Sequence, residues 1–233
     1  MQKKILLFML FITLTIIYPQ NPCPGIPTVT YAGKTYNTVQ IGPQCWLKEN
    51  LNAGTMINCT NGGTNNDGNQ TDNSKIEKYC YNNDSTNCLT CGGLYQWAEA
   101  VQYKNGAFNT SPPKPAFAGN IQGICPGGWH IPSNSEFEKL DTVVNNDSRA
   151  LKAIGQGTGN GAGTDKSGFS ALLAGGCISL NSFGGLRDFA YFWSSSEYKA
   201  SEAHNISLSY YDSVIYFGNY YKGLAFSIRC LKD

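Results

Sequence analysis

The placement of the cysteines constrains this chain more than any other feature: all nine lie downstream of a short apolar run at the N-terminus. Lys3 and Lys4 come first, and an apolar stretch follows from Ile5 to Ile17. A basic start followed by about a dozen apolar residues is the layout of a secretory signal peptide. As a helix the stretch spans about 20 Å, short of the ~30 Å hydrocarbon core, so a membrane anchor is the weaker reading. Residues 1–20 are therefore expected to be a signal peptide and 21–233 one mature domain, secreted or held at the cell surface or in the periplasm. No small-x-small triplet marks the cut. Lipidation of Cys23 is not expected, because Gln20-Asn21-Pro22 stands where small residues are normally required.

In an oxidising compartment nine cysteines read as a disulfide framework, four bridges with one thiol left over. Cys88-x-x-Cys91 also has the spacing of a zinc pair or a redox motif. No second such pair and no HxxxH completes a tetrahedral site. The segment before it, Asn82 to Asn87, is polar, whereas a redox motif opens a helix after a strand.

Lys+Arg number 17 and Asp+Glu 16, and only 14% of residues are charged. Without a basic stripe, nucleic acid is excluded as an expected partner. After the leader no apolar run reaches membrane length, so no transmembrane span is expected in the mature chain.

Period-2 alternation around Gly33-Lys34 predicts a hairpin over Thr28 to Ile41, and Gln44 to Leu51 reads as a short strand or turn. Thr60 to Ser74 is a polar surface loop, and Ile76 to Tyr81 a strand. Leu94, Trp97, Ala98 and Val101 have the spacing of an amphipathic helix over Gly92 to Tyr103. Ser133 and Glu136 form a capping box before the apolar stripe Phe137, Leu140, Val144, which predicts a second helix. Gly155 to Gly168 is a glycine-rich loop. Phe169–Ala174, Tyr191–Ser194, Ala203–Tyr211, Val214–Phe217 and Ala225–Leu231 read as strands. No long helix separates them, so antiparallel pairing and an α+β class are expected.

Several blocks occur in a characteristic order: Val39-Gln-Ile-Gly-Pro-Gln-Cys-Trp-Leu-Lys-Glu-Asn-Leu51, Ile76 to Tyr81, Gly92-Gly-Leu-Tyr-Gln-Trp97, Ile124-Cys-Pro-Gly-Gly-Trp-His-Ile-Pro-Ser133, Gly168 to Leu172, Phe192-Trp-Ser-Ser-Ser-Glu197 and Phe226-Ser-Ile-Arg-Cys-Leu231. Together they resemble the Fibrobacter succinogenes major paralogous domain, a family of exported proteins common in Bacteroidetes and Fibrobacteres. The resemblance implies a C-type-lectin-like fold, with two helices, a twisted and mainly antiparallel sheet, long loops and disulfides. It implies location and fold more than activity. It also implies pairings: Cys80 with Cys88 and Cys125 with Cys230. Cys23 and Cys45 are expected to close the first hairpin and Cys59 and Cys91 to form a private pair, leaving Cys177 as the odd thiol.

Candidate sites are few. His130 and His204 lack a nucleophile or metal partner in any motif and read as structural, His130 bonded to nearby backbone. Asn65, Asp67, Asn69 and Asp72 alternate oxygen donors as calcium loops do, but lack the glycine and bidentate glutamate of such a loop, so a solvated loop is the default. Gly157 to Gly163 lacks the Lys-Ser/Thr end of a phosphate loop. The aromatic cluster near the end is more informative. Alternation sends about half of it inward. Trp193, Tyr198, Tyr210, Tyr216 and Tyr220 are the candidates for an outward binding platform, since tyrosine offers area and a hydroxyl at low entropic cost.

The expected function is a non-catalytic extracellular or envelope binding module for a glycan or a protein, without a cofactor. The alternatives are an enzyme related to formylglycine-generating oxidases, which would need a reactive Cys177, and a structural component of the envelope.

Overall fold

A computed structural model describes residues 21–60, 69–179 and 182–233. The expected signal peptide lies outside the described residues, as do Asn65 and Asp67.

The chain opens with a hairpin, β1 (Thr28–Tyr31) and β2 (Lys34–Ile41). Its turn is Ala32-Gly33, both at positive φ (48° and 77°), the two-residue geometry whose twist matches that of the strands. β3 (Gln44–Leu47) extends it, and β4 (Thr55–Met56) and β5 (Glu77–Lys78) form a small separate pair. α1 (Ser85–Cys91) follows, capped by Asp84, which accepts from Thr86 N at 2.9 Å. The polar segment there concealed this helix from periodicity; the Asp84 cap and the Cys80–Cys88 bond hold it.

The helix expected over Gly92 to Tyr103 is instead a strand, β6 (Tyr95–Gln96), and one helical turn, α2 (Trp97–Ala100). Tertiary partners override the helical spacing. Tyr95 pairs with Phe226, and its hydroxyl bonds both the N–H and the carbonyl of Ala53 at 2.8 Å. Gln102 and Tyr103 then turn left-handed and end the helix.

β7 (Trp129–His130) leads into α3 (Asn134–Val143). The capping box is present: Glu136 Oε2 accepts from Ser133 N at 2.8 Å and from Ser133 Oγ at 2.7 Å. α4 (Ser148–Leu151) is a single turn that the sequence patterns did not reveal, capped by Asp147. The late strands are β8 (Ala174–Ser179), β9 (Ser182–Leu186), β10 (Phe189–Lys199), β11 (Glu202–Ser209), β12 (Ile215–Tyr221), β13 (Ala225–Phe226) and β14 (Leu231–Lys232). Phe169 to Leu173 is not a strand: Ser170 is left-handed, and Phe169 turns into the core against Trp46 (5.5 Å between ring centroids).

Two sheets result. One runs β1-β2-β3-β14-β7, the other β12-β11-β10-β8-β13-β6 with β9 added on β8. Pairing is antiparallel except for β4–β5 and a short parallel contact of β10 on β8. The fold is mixed α+β with few helices and a mainly antiparallel sheet. α3 packs Phe137 and Leu140 against Phe192, Ile206 and Leu208 of β10 and β11. Burial of such side chains contributes about 1.5–3 kcal/mol each. A second cluster gathers Tyr95, Trp97, Trp193, Phe226 and Ile228.

Two buried cations tie these parts together. Arg229 is fully buried, bonded to the carbonyls of Leu47 and Phe169 and to Asn50 Oδ1 (2.7 Å), and stacked on Phe169. Lys222 lies over Trp97 and bonds Glu197 and the Ala200 carbonyl.

Disulfides join Cys23 to Cys45, Cys80 to Cys88, and Cys125 to Cys230. The fourth corrects the expectation: Cys59 bonds Cys177, not Cys91, and the free thiol is Cys91, not Cys177. Cys59 and Cys177 meet in a small core with Tyr79, Tyr81 and Leu94. Cys91, at the half-exposed end of α1, stays outside it. No helix among the described residues is long and apolar enough to cross a membrane.

Candidate functional site

β10, β11 and β12 present two faces, and the one turned away from α3 carries the site. Register places Tyr191, Ser207 and Tyr216 side by side across the three strands, with Trp193, Asn205 and Gly218 in the next row and Ala203 beside Tyr220 beyond it. The Phe226 segment covers part of this face: its ring stacks on Tyr191 (4.7 Å, 18°) and lies 4.5 Å from Trp193. The uncovered part is an open cleft of about 550 Å³ lined by Phe189, Tyr191, Ser207, Tyr211, Tyr216, Gly218, Asn219 and Tyr220.

Its aromatic wall is pre-arranged. Phe189 stacks on Tyr191 at 5.6 Å, and Tyr220 meets Tyr191 edge-on at 5.9 Å. Tyr216 (41% exposed) and Tyr220 (40%) face solvent. Tyr216 is fixed by its hydroxyl donating to Asp212 Oδ2 at 2.7 Å. That bond pushes its pKa up to about 12; burial does the same for Tyr191. Both phenols therefore stay neutral at any physiological pH. Asn219 Nδ2 is held by Glu202 at 2.5 Å.

Beneath the cleft floor lies an unusual group. Asn205 is 1% exposed, and neither its amide oxygen nor its nitrogen has a partner among the described residues. Gly218 sits over it: a Cβ there would come within 3.3 Å of Asn205 Oδ1. A buried amide without partners is costly, and a Cβ at position 218 would crowd its oxygen.

The sequence candidates divide. Tyr216 and Tyr220 meet in the cleft. Tyr210 pairs edge-on with Tyr211 beside it. Tyr198 lies at the far end of β10 against His204, which alternation turns to the opposite face from Asn205. Trp193 is not a platform residue: it is fully buried and its indole donates to the Tyr95 carbonyl at 2.9 Å. The strand pattern marked these residues as aromatic, but the lid formed by Phe226 comes from a distant segment and leaves no local signal. Tyr191 belongs to the aromatic cluster but not to the outward candidates, and Phe189 and Asn205 carry no local signal at all.

Asn69 Oδ1 is taken by Gln96 Nε2, and Asp72 lines a separate cleft with Tyr103, Phe108 and Tyr221. No group of three or more His, Cys, Asp or Glu among the described residues is arranged to hold a metal. Behind that second cleft Glu99 is buried, accepting from Tyr103 Oη and Glu77 N at 2.9 Å. Burial pushes its pKa up to about 7.

His130 is structural in a different way from the one expected. It bonds two carboxylates rather than backbone: Asp233 Oδ1 at Nδ1 (2.7 Å) and Glu136 Oε1 at Nε2 (3.1 Å). Both ring nitrogens are thus held by carboxylates, which tie β7 to α3 and to Asp233.

The fold and its cleft thus define a small, disulfide-bonded α+β domain with an aromatic surface on one sheet. Residues 39–232 match the Fibrobacter succinogenes major domain, and the chain belongs to that family. No curated protein and no solved structure matches it. Four disulfides fit a chain that matures outside the cytoplasm.

Proposed function

We propose that this domain is a non-catalytic extracytoplasmic binding module that takes glycans on the outer face of β10–β12. The observation that carries the reading is the cleft in which Tyr191, Tyr216 and Tyr220 stand beside the uncharged Ser207 and Gly218. A pyranose has an apolar C–H face and a rim of hydroxyls. Flat rings cover the first, while phenol and hydroxyl groups meet the second. No nucleophile–base pair or paired carboxylate lines the cleft, which favours binding over catalysis. Bonding of Cys177 to Cys59 takes Cys177 out of an oxidase reading, and the free thiol, Cys91 at the end of α1, is not among the residues that line the cleft.

Export through the segment 1–20, with release or retention at the cell surface, accords with this role, as does the disulfide framework. We read the fold as C-type-lectin-like, with the Cys125–Cys230 bond tying mid-chain to the last strand. Sugar contact here would be direct, without a bridging calcium. The test is a glycan array with the mature protein, run with calcium and with chelator. Binding that persists in chelator and falls at least tenfold in Tyr220→Ala is the expected result. A blank array, or binding indifferent to both Tyr216→Ala and Tyr220→Ala, overturns the reading and favours a protein partner or a structural envelope role.

A further inference from the structure

We propose that β12 is a docking edge for a second copy of this chain, the two strands pairing antiparallel about Gly218. The contact is made by the strand's backbone edge and sets the cleft residues Tyr216 and Tyr220 across the axis, so its test reads mass and exchange and not ligand binding. β12 is the last strand on its side of the larger sheet and pairs there with β11 alone. Among the described residues, the backbone groups of Ile215 to Tyr220 bond to nothing beyond β11. In an antiparallel pair the backbone groups alternate in direction, so half of those on β12 point outward unpaired.

Edges of this kind are normally blunted by lysine, proline, an inward charge or a bulge. Ile215-Tyr-Phe-Gly-Asn-Tyr-Tyr221 contains no charge and no proline. Its register on β11 runs unbroken from Ile215 to Tyr221, so no bulge twists it away. The flanks strengthen the case: Tyr210, Tyr211, Val214, Phe217 and Tyr221 are exposed around it.

Charge and symmetry select the occupant. Between Tyr210 and Tyr221 the sole charge is Asp212, and its carboxylate is already bonded by Tyr216 Oη (2.7 Å) and Val214 N (3.0 Å). A charged peptide would find no counter-charge here, whereas a neutral strand meets no repulsion. The strand is also close to symmetric about its centre. With Gly218 of each copy on a two-fold axis, Tyr216 of one copy stands opposite Tyr220 of the other, on one face. Directly opposed residues in such pairs are about 4.5–5.5 Å apart at Cβ, where aromatic pairs are favourable. The two glycines leave the axis uncrowded. Such an isologous contact closes at two copies and brings the two aromatic clefts side by side.

The test is sedimentation equilibrium of the mature protein with its four disulfides intact and Cys91→Ser, so that no intermolecular disulfide contributes. The expected result is an apparent mass that rises with concentration to twice the monomer and stops there. Phe217→Lys, which sets like charges near the axis, is expected to keep the protein monomeric, with the melting midpoint of the unsubstituted protein at dilutions where that too is monomeric. Hydrogen exchange of the unsubstituted strand gives a second readout: amides of residues 215–221 should exchange about tenfold more slowly in the concentrated sample. A monomer mass at every concentration overturns the proposal. So does growth beyond two copies, a dimer that survives Phe217→Lys, or β12 exchange independent of concentration. Should Phe217→Lys fail to fold, the exchange of the unsubstituted strand decides.

Discussion

The two faces of β10–β12 are made of the same three strands, yet one is core and the other is a surface. The inner face, Ala190, Phe192, Ile206, Leu208 and Ile215, is closed by Phe137 and Leu140 of α3. The outer face has the larger aromatic content and is only half closed, by Phe226 and the β6 segment at Tyr95 over its Trp193 end. Hydrophobicity therefore does not decide which face is buried; the presence of a covering element does. What remains open on the outer side is large, neutral and ordered, a combination that suits recognition better than packing.

The contrast can be broken most severely from the inner side. Phe192→Ala, which empties a fully buried site, should cost about 3–5 kcal/mol in urea unfolding. Loss of less than half of that would mean the inner face is as loosely covered as the outer. Arg229→Leu should follow at about 3 kcal/mol, because the carbonyls of Leu47 and Phe169 and the Asn50 side chain lose their buried donor. Its guanidinium also lies over Phe192 at 5.4 Å, so the loss should couple with Phe192→Ala in a double-mutant cycle.

α3, the lid of the inner face, is moored by Glu136 to His130, and this gives a pH signature. Burial opposes the charge on His130, but bonds to Glu136 and Asp233 outweigh it and raise its pKa above the ordinary 6.5. The contribution of His130 is then full below pH 6.5 and lost as pH rises through the raised value. Burial likewise opposes the Glu136 carboxylate, yet bonds from His130 and Ser133 hold its pKa at about 2. Its contribution is full above pH 4.5 and lost as pH falls towards 2. Urea midpoints should therefore peak between those limits, and His130→Gln should flatten the alkaline side. An unchanged alkaline slope in that variant would sever α3 from the histidine clamp.

The smallest stability effects belong to the outer face. Tyr220→Ala, at a half-exposed ring, should cost no more than about 1 kcal/mol while weakening ligand binding at least tenfold. Asn205→Ala should leave stability within about 1 kcal/mol, because both amide atoms are already without partners. A larger loss by thermal melt would show that the amide is engaged in solution.

Much of the fold is legible in the chain's local patterns. The capping box at Ser133 and Glu136, the first hairpin, whose turn falls one residue earlier than Gly33-Lys34, and the strands around Tyr191, Ala203 and Val214 rest on local rules, since a cap or a tight turn needs only residues a few positions apart. The ordered blocks from Val39 to Leu231 carry the family for the same reason: they are contiguous in sequence. The helix expected over Gly92 to Tyr103 failed because Tyr95 found partners at Ala53 and Phe226, far away along the chain. Cys59 could not be matched to Cys177 because 118 residues separate them and both sit in otherwise unremarkable segments.

The site divides along the same line. Alternation by itself determined that half of the tyrosines near the end must face outward, because successive side chains in a strand point to opposite faces. Which face closes, that Trp193 lies beneath Phe226, and that Asn205 waits under Gly218 were decided only by tertiary structure. Covering a strand face takes a second element, and the sequence of the strand contains no record of which one arrives.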